Sequence, residues 1–343
     1  MNITLYETKK RIEYIDAIKG LAIFLMVMGH AIAWNYDDYN AVCNFHPEQT
    51  INVKMGGAIW QLIYSFHMPL FFMVSGFLMY KAYQWSDFLS FTKKKIIRLL
   101  LPYICTIWLV YLVRGAIGYW FLLCLFQISI VGFLLITLLE KINPKRFLII
   151  DIIIMGIVYV LLRIFHAQEW HLYGISLGRF VGAFIPFFVG ILLRKHKFLF
   201  NACIYSDWFY SSALILFVGV FSCRYLLEYG KFWELIYIHS TTFLAIMGSF
   251  IVFHIFAKDL LVRFRPLLSH LGRMTLPIYM LHIMFVIQIP AIGEFIIVQN
   301  AVTSIVLQII YSAVISIIAI VLSLLLYKVI IISPHLKRLF FGE

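Results

Sequence analysis

Three histidines and two strongly basic side chains stand inside or at the ends of long apolar runs: His30, His67 and His282, with Lys19 and Arg98. An imidazole titrates near neutrality, so such groups offer proton transfer in surroundings where charge is costly. Lys19 and His30 are eleven residues apart. At about 100° per residue this brings both to nearly one helix face, about 16 Å apart along the axis. A charge and a titratable ring on one stripe of a membrane helix read as a functional site inside a bundle. The alternative is a histidine bonded to a neighbouring helix while Lys19 snorkels to the headgroups.

His67 immediately precedes Met68 and Pro69 in the second apolar run. Pro69 cannot donate to the carbonyl of Ser65, so a kink is expected there, against protein or a water-filled cavity, with His67 facing the same interior as His30. Tyr279 and His282 lie three residues apart on one helix face, and a structural role for His282 is the alternative. Arg98 stands four residues before Pro102 in KKIIRLLLPY, where a guanidinium can hold a phosphate by paired hydrogen bonds. Lys93 to Lys95 read as contacts to anionic headgroups. Ser75 and Gly76 read as a point of close helix packing rather than a nucleophile and its turn, and Gln127 as interhelical glue or cavity lining. Arg179, Trp170 and Tyr279 are candidates for contact with a hydrophilic substrate; Trp170 reads equally as an interfacial belt residue.

The elements that must position these groups follow from composition. Of 343 residues, 63% are hydrophobic and only 13% charged, with a mean hydropathy of +0.94, against about a quarter charged in soluble domains. The expected fold is all-α, a polytopic membrane bundle of about ten helices over 16–34, 57–80, 96–113, 119–139, 147–165, 180–193, 208–226, 235–257, 274–292 and 301–327. It forms a single domain over 1–343 with no appended soluble domain. The polar start of the chain and the length of the first apolar run argue for a retained first span rather than a cleaved leader. With both termini cytoplasmic, all of the 28 Lys and Arg except Lys54, Arg114, Arg163, Arg179, Arg224 and Lys231 fall inside or at inner helix ends. That distribution accounts for the net charge of +12 without a nucleic-acid partner. The five cysteines have no metal-type spacing, so no metal is expected, and a Cys43–Cys223 pairing is left open. No internal repeat carries matching polar marks, which weakly disfavours the inverted-repeat plan of many transporters.

The ordered set of motifs resembles the acyltransferase 3 family of bacterial membrane proteins. The matching segments are YIDAIKG followed by GH in the first run, FHMPLFFMVSGFL in the second, KKIIRLLLPY entering the third, YWFLLCLF, RFVGAFIPFFVGILL and LPIYMLH. Each is weak alone; together, and in the family's order, they extend over nearly the whole chain. The soluble esterase-like domain of some relatives is missing. The resemblance implies an O-acyltransferase in the bacterial cytoplasmic membrane, with acyl-CoA, commonly acetyl-CoA, as donor and a cell-envelope or exopolysaccharide carbohydrate as acceptor. It maps the family's essential histidine to His30, the basic partner to Lys19 and the arginine of the third run to Arg98. On this reading His30 is general base or transient acyl carrier, and His67 or His282 donates to the developing oxyanion. His30 would then line a hydrated path joining donor below to acceptor above.

A transporter or flippase of lipid-linked glycan would also need kinked spans and intramembrane histidines, though Asp151 is the only clear intrahelical carboxylate for ion coupling. A purely structural subunit would tolerate loss of His30. A homo-oligomer is compatible with the sequence, which identifies neither the acceptor nor the acyl chain.

Overall fold

The structure, a computed structural model, describes residues 13–34, 51–114, 120–167, 177–226 and 231–342. Among these residues all regular secondary structure is helical, with no strand. Helix α1 spans Glu13–Ala33, α2 Ile51–Gln84, α3 Phe88–Lys95, α4 Leu101–Arg114, α5 Trp120–Ile142, α6 Leu148–Ala167 and α7 Leu177–Lys195. There follow α8 Lys197–Ile204, α9 Asp207–Leu226, α10 Lys231–Ala257, α11 Arg265–Arg273, α12 Thr275–Leu281, α13 Pro290–Ile297, α14 Ala301–Ile330 and α15 Pro334–Phe341. Among the described residues seven segments are long and apolar enough to cross a bilayer, and α8 with α9, bent by 65°, makes an eighth if counted as one span.

The sequence reading gives about ten, and the difference lies in the sixth and ninth runs. The sixth is α7, a continuous 19-residue helix that carries Arg179, Arg194 and Lys195 at its ends. The ninth is not one helix. It begins at the break after α11, runs only to Leu281 as α12, tightens into a 3-10 turn at His282–Met284, and leaves helical geometry before α13. Pro277 in the first turn of α12 and Pro290 at the start of α13 supply the reason, since each lacks the N–H that a continuous helix needs from its interior. Irregular backbone at membrane depth must be buried in protein or line a cavity, and Ile278, Met280, Leu281 and His282 are all completely buried.

The third run begins earlier than hydropathy indicates. Asp87 caps α3 by accepting from the Ser90 amide at 3.0 Å. Between α3 and α4 lies a π turn, Ile96–Leu100, in which the Leu101 amide donates to Ile96, five residues back. Pro102 cannot donate to Arg98, four residues back, and the wider turn absorbs that missing bond. Arg98 is therefore exposed on a local bulge rather than on a regular helix. Gly342, left-handed at φ 66°, closes α15 over this bulge, where a Cβ would lie 2.3 Å from the Ile97 carbonyl oxygen.

The core is built by α1, α2 and α7, with α14 and α11 against α1. Helices α2 and α7 cross at Gly76 and Gly190: a Cβ at Gly76 would lie 1.8 Å from the Phe187 carbonyl oxygen, and one at Gly190 2.0 Å from that of Met73. The small residue of the Ser75–Gly76 pair thus serves close backbone approach, as small residues in membrane helices commonly do.

At the end of the bundle where α1 begins, the Lys19 end, a buried polar cluster ties four helices. Asp151 of α6 is fully buried and accepts from Lys195 Nζ at 2.9 Å, Asn143 Nδ2 at 2.9 Å and His196 Nε2 at 2.7 Å. Lys195 also faces Glu140 at 3.5 Å, which accepts from the Tyr80 hydroxyl at 2.9 Å. Asp151, the carboxylate that ion coupling would need, is thus engaged on both oxygens. Asp151→Ala leaves Lys195 without its main buried counter-charge and should lower stability by about 3–5 kcal/mol. Thermal unfolding in detergent tests this; an unchanged midpoint contradicts it, and Asp151→Asn, which keeps an acceptor, should cost less.

Candidate functional site

The last turn of α1 carries His30 to the opposite end of the bundle from Lys19. Its Nδ1 lies 2.8 Å from Nε2 of His282, where α12 passes into the 3-10 turn. The two ring planes differ by 7° and their centroids are 5.1 Å apart. A ring nitrogen sits little more than an ångström from its centroid, so the imidazoles meet edge to edge and the hydrogen bond runs in their common plane. Trp34 extends the array, its ring within 6° of parallel to His30 at 5.5 Å.

The proton positions follow from chemistry. His282 Nδ1 lies 2.8 Å from the Tyr279 carbonyl oxygen and 3.0 Å from that of Ile278. A carbonyl only accepts, so Nδ1 carries the proton and Nε2 of the neutral ring is an acceptor. His30 Nδ1 must then donate to it, and the lone pair of a neutral His30 is left on Nε2. The helix break, rather than a carboxylate, sets this tautomer: α12 ends where its own carbonyls can take the His282 proton.

His30, His67 and His282 line one cavity of about 50 Å3, together with Met26, Tyr64, Met68, Trp120, Tyr279 and Ile283. The volume admits reacting groups rather than a whole sugar. His67 of α2 is 1% exposed, and its Nδ1 donates to the Ile63 carbonyl at 2.8 Å. The Tyr64 ring meets it at 66° with centroids 4.6 Å apart. Tyr279 packs beside His282, ring centroids 6.2 Å apart.

Four of the residues singled out in the sequence, His30, His67, His282 and Tyr279, thus converge on one chamber. Arg179 stands one neighbour away, its guanidinium 5.0 Å from the centre of the Trp120 ring that lines the cavity. Lys19 and Arg98 do not line it. Lys19 pairs at 2.7 Å with Asp16, which is 4% exposed, and Arg98 lies on the π turn. Trp170 and Cys43 fall outside the described residues.

The expectation that His67 or His282 donates to an oxyanion does not match the hydrogen bonds. In each neutral ring the single N–H is taken by a backbone carbonyl, and the other nitrogen is an acceptor. The expectation of a path through the bundle is also modified, since the chamber is compact and neither Lys19 nor Arg98 reaches it. Sequence reasoning passed over Asp16, Tyr64 and Trp120. Asp16 carries a readable signal, three residues before Lys19 on the same helix face. Tyr64 and Trp120 carry none, because any aromatic in an apolar run satisfies the same pattern.

A family model described as an acyltransferase domain, acyltransferase 3, matches residues 12–328. No curated protein and no solved structure matches the chain.

Proposed function

The chain belongs to the acyltransferase 3 family and is a multi-pass membrane acyltransferase; from that premise we propose that it moves an acetyl group from acetyl-CoA to a hydroxyl of a cell-envelope carbohydrate. The observation that carries this reading is the His30–His282 hydrogen bond with the His282 proton held by backbone carbonyls. It supports a neutral His30 whose Nε2 lone pair is available to a substrate.

An alcohol is a weak nucleophile, and this lone pair takes its proton as the oxygen attacks the thioester carbonyl carbon. The tetrahedral oxyanion collapses, the carbon–sulfur bond breaks, and the departing thiolate takes the proton from Nε2. Tyr64, Tyr279 and Trp120, which line the chamber, are the residue types there able to donate to the oxyanion. In a two-step route the same lone pair attacks the thioester, releases the thiol and passes the acyl group on as an acylimidazole. An acetyl adduct on the His30 peptide, trapped by acid quench before acceptor is added, distinguishes that route from direct transfer.

The bundle lies in the bacterial cytoplasmic membrane with its Lys19 end and both termini in the cytoplasm, as the basic residues favour. Lys19 and Arg98 there receive the donor's phosphates; His30 stands about 16 Å further along α1, so the bundle must part to admit the pantetheine arm that brings the thioester to it. Arg179 and Trp120, at the other end, face the carbohydrate. Arg98→Ala should raise KM for acetyl-CoA about tenfold with kcat little changed, the pattern of lost ground-state binding. An unchanged KM removes Arg98 from the donor site.

His282 is a positioning residue, because both of its nitrogens are engaged. His282→Ala should lower kcat roughly 10- to 100-fold with KM for the acceptor unchanged, as losing an orienting partner does. His282→Gln keeps a carbonyl oxygen able to accept from His30 Nδ1 and should recover most of the rate. Equal losses in both variants would mark His282 as packing alone.

A further inference from the structure

A second cavity, about 310 Å3 and almost wholly apolar, lies between α6 and α7, apart from the histidines. Ile152, Met155, Gly156 and Tyr159 line it from one side, and Ile185 and Val189 from the other. No atom lies within 4 Å of where a Cβ at Gly156 would stand, so the glycine leaves the groove open. The outer face of α6 is apolar and uncovered, with Ile153, Ile157 and Val160 each more than half exposed, which puts the groove at the lipid boundary.

Basic side chains stand where the groove reaches the Lys19 end. Lys145 and Arg146 lie in the turn that opens α6, and Lys197 follows directly on α7; all three are exposed. The turn is fixed. Asn143 donates to the Phe147 carbonyl at 2.7 Å and accepts from its amide at 3.0 Å, and Arg146 is left-handed at φ 56°. Asn143, Lys195 and His196 are in turn anchored to buried Asp151. The buried polar cluster does not line the histidine chamber. It holds two basic shoulders at the mouth of an apolar groove, and its carboxylates, Asp151 and Glu140, are already engaged with Lys195. Arg146 stands 3.6 Å from Glu140, leaving Lys145 and Lys197 as the uncompensated charge.

We infer that this groove binds one anionic phospholipid, with part of an acyl chain between α6 and α7 and the phosphate on Lys145 and Lys197. The volume is about ten times a water molecule's share of the liquid, enough for a chain segment and too little for a whole lipid. A zwitterionic lipid offers the same hydrocarbon but no net charge for the shoulders, so the headgroup supplies the selectivity.

Native mass spectrometry of the full-length protein tests this with phosphatidylglycerol and phosphatidylcholine of identical chains. The wild type should retain one phosphatidylglycerol at least about tenfold more tightly, the size expected for a few cations near a lipid phosphate. Gly156→Phe, which fills open space, and the surface double variant Lys145→Ala with Lys197→Ala should each remove that preference. Equal retention of the two lipids by the wild type overturns the proposal. So does a monodisperse Gly156→Phe protein that keeps the preference, which would reduce the site to a charged surface. Should Gly156→Phe fail to fold, the wild-type comparison and the double variant decide: a preference that survives loss of both cations also overturns it.

Discussion

Replacing His30 with alanine should lower acetyl transfer by about 10²–10⁴-fold, the size of a lost general base, and should remove the corresponding ester from surface carbohydrate. His67 and His282 also keep an unprotonated Nε2, but neither stands where His30 does: His67 lies on α2, and His282 lies one ring's width behind His30. His30→Gln keeps an amide donor toward His282 Nε2 but offers no basic nitrogen, so it should be equally inactive while preserving the packing. Transfer from labelled acetyl-CoA by matched amounts of purified protein, with mass spectrometry of surface glycans from cells carrying each variant, measures both. Normal product from a well-folded His30→Ala protein contradicts the direct and the two-step route alike.

Gly76→Val should abolish assembly of the bundle rather than its chemistry. The new Cβ would lie 1.8 Å from the Phe187 carbonyl oxygen and 3.3 Å from the Ile191 amide nitrogen, both backbone atoms that cannot rotate away. Helices α2 and α7 must separate along a crossing that also carries Phe72, Phe77, Phe187 and Phe188, all 2% exposed or less. A cost of about 4–5 kcal/mol, at the upper end of single substitutions, exceeds the margin of many folded chains. Yield of monodisperse protein and thermal unfolding read the effect. Gly219→Ala on α9, where a Cβ meets nothing within 4 Å, is the control and should be neutral or slightly stabilising, since alanine favours helix over glycine. A Gly76→Val protein of wild-type stability would show that α2 and α7 do not cross at this point.

The helices were readable because the bilayer imposes their length and apolarity, and small residues betray close crossings. Hydropathy averages over a window, so it carried the ninth run on to residue 292 past the end of α12 at Leu281, even though Pro290 lay in plain view. It also missed the shift of the third run to Asp87, because Lys93 to Lys95 lower the local average there. His30, His67 and His282 were legible as polar groups in apolar surroundings. Their roles were not. Which nitrogen carries a proton depends on a contact between residues 252 positions apart and on where α12 stops. Asp151 teaches the same lesson: in the sequence it stands alone in an apolar run, the only clear carboxylate candidate for ion coupling, and its partners Lys195 and His196 lie at the end of a helix whose rotation no local pattern specifies.

The central claim is that a neutral His30 presents an unprotonated Nε2 to the chamber because His282 holds its Nδ1 proton. Nitrogen-15 spectra of histidine-labelled protein in lipid, with the His30 signals identified by their loss in His30→Gln, test it at neutral pH. The account predicts a protonated Nδ1 and a bare Nε2 on His30, and a His282 with the same tautomer. A His30 ring protonated at Nε2, or at both nitrogens, would contradict it.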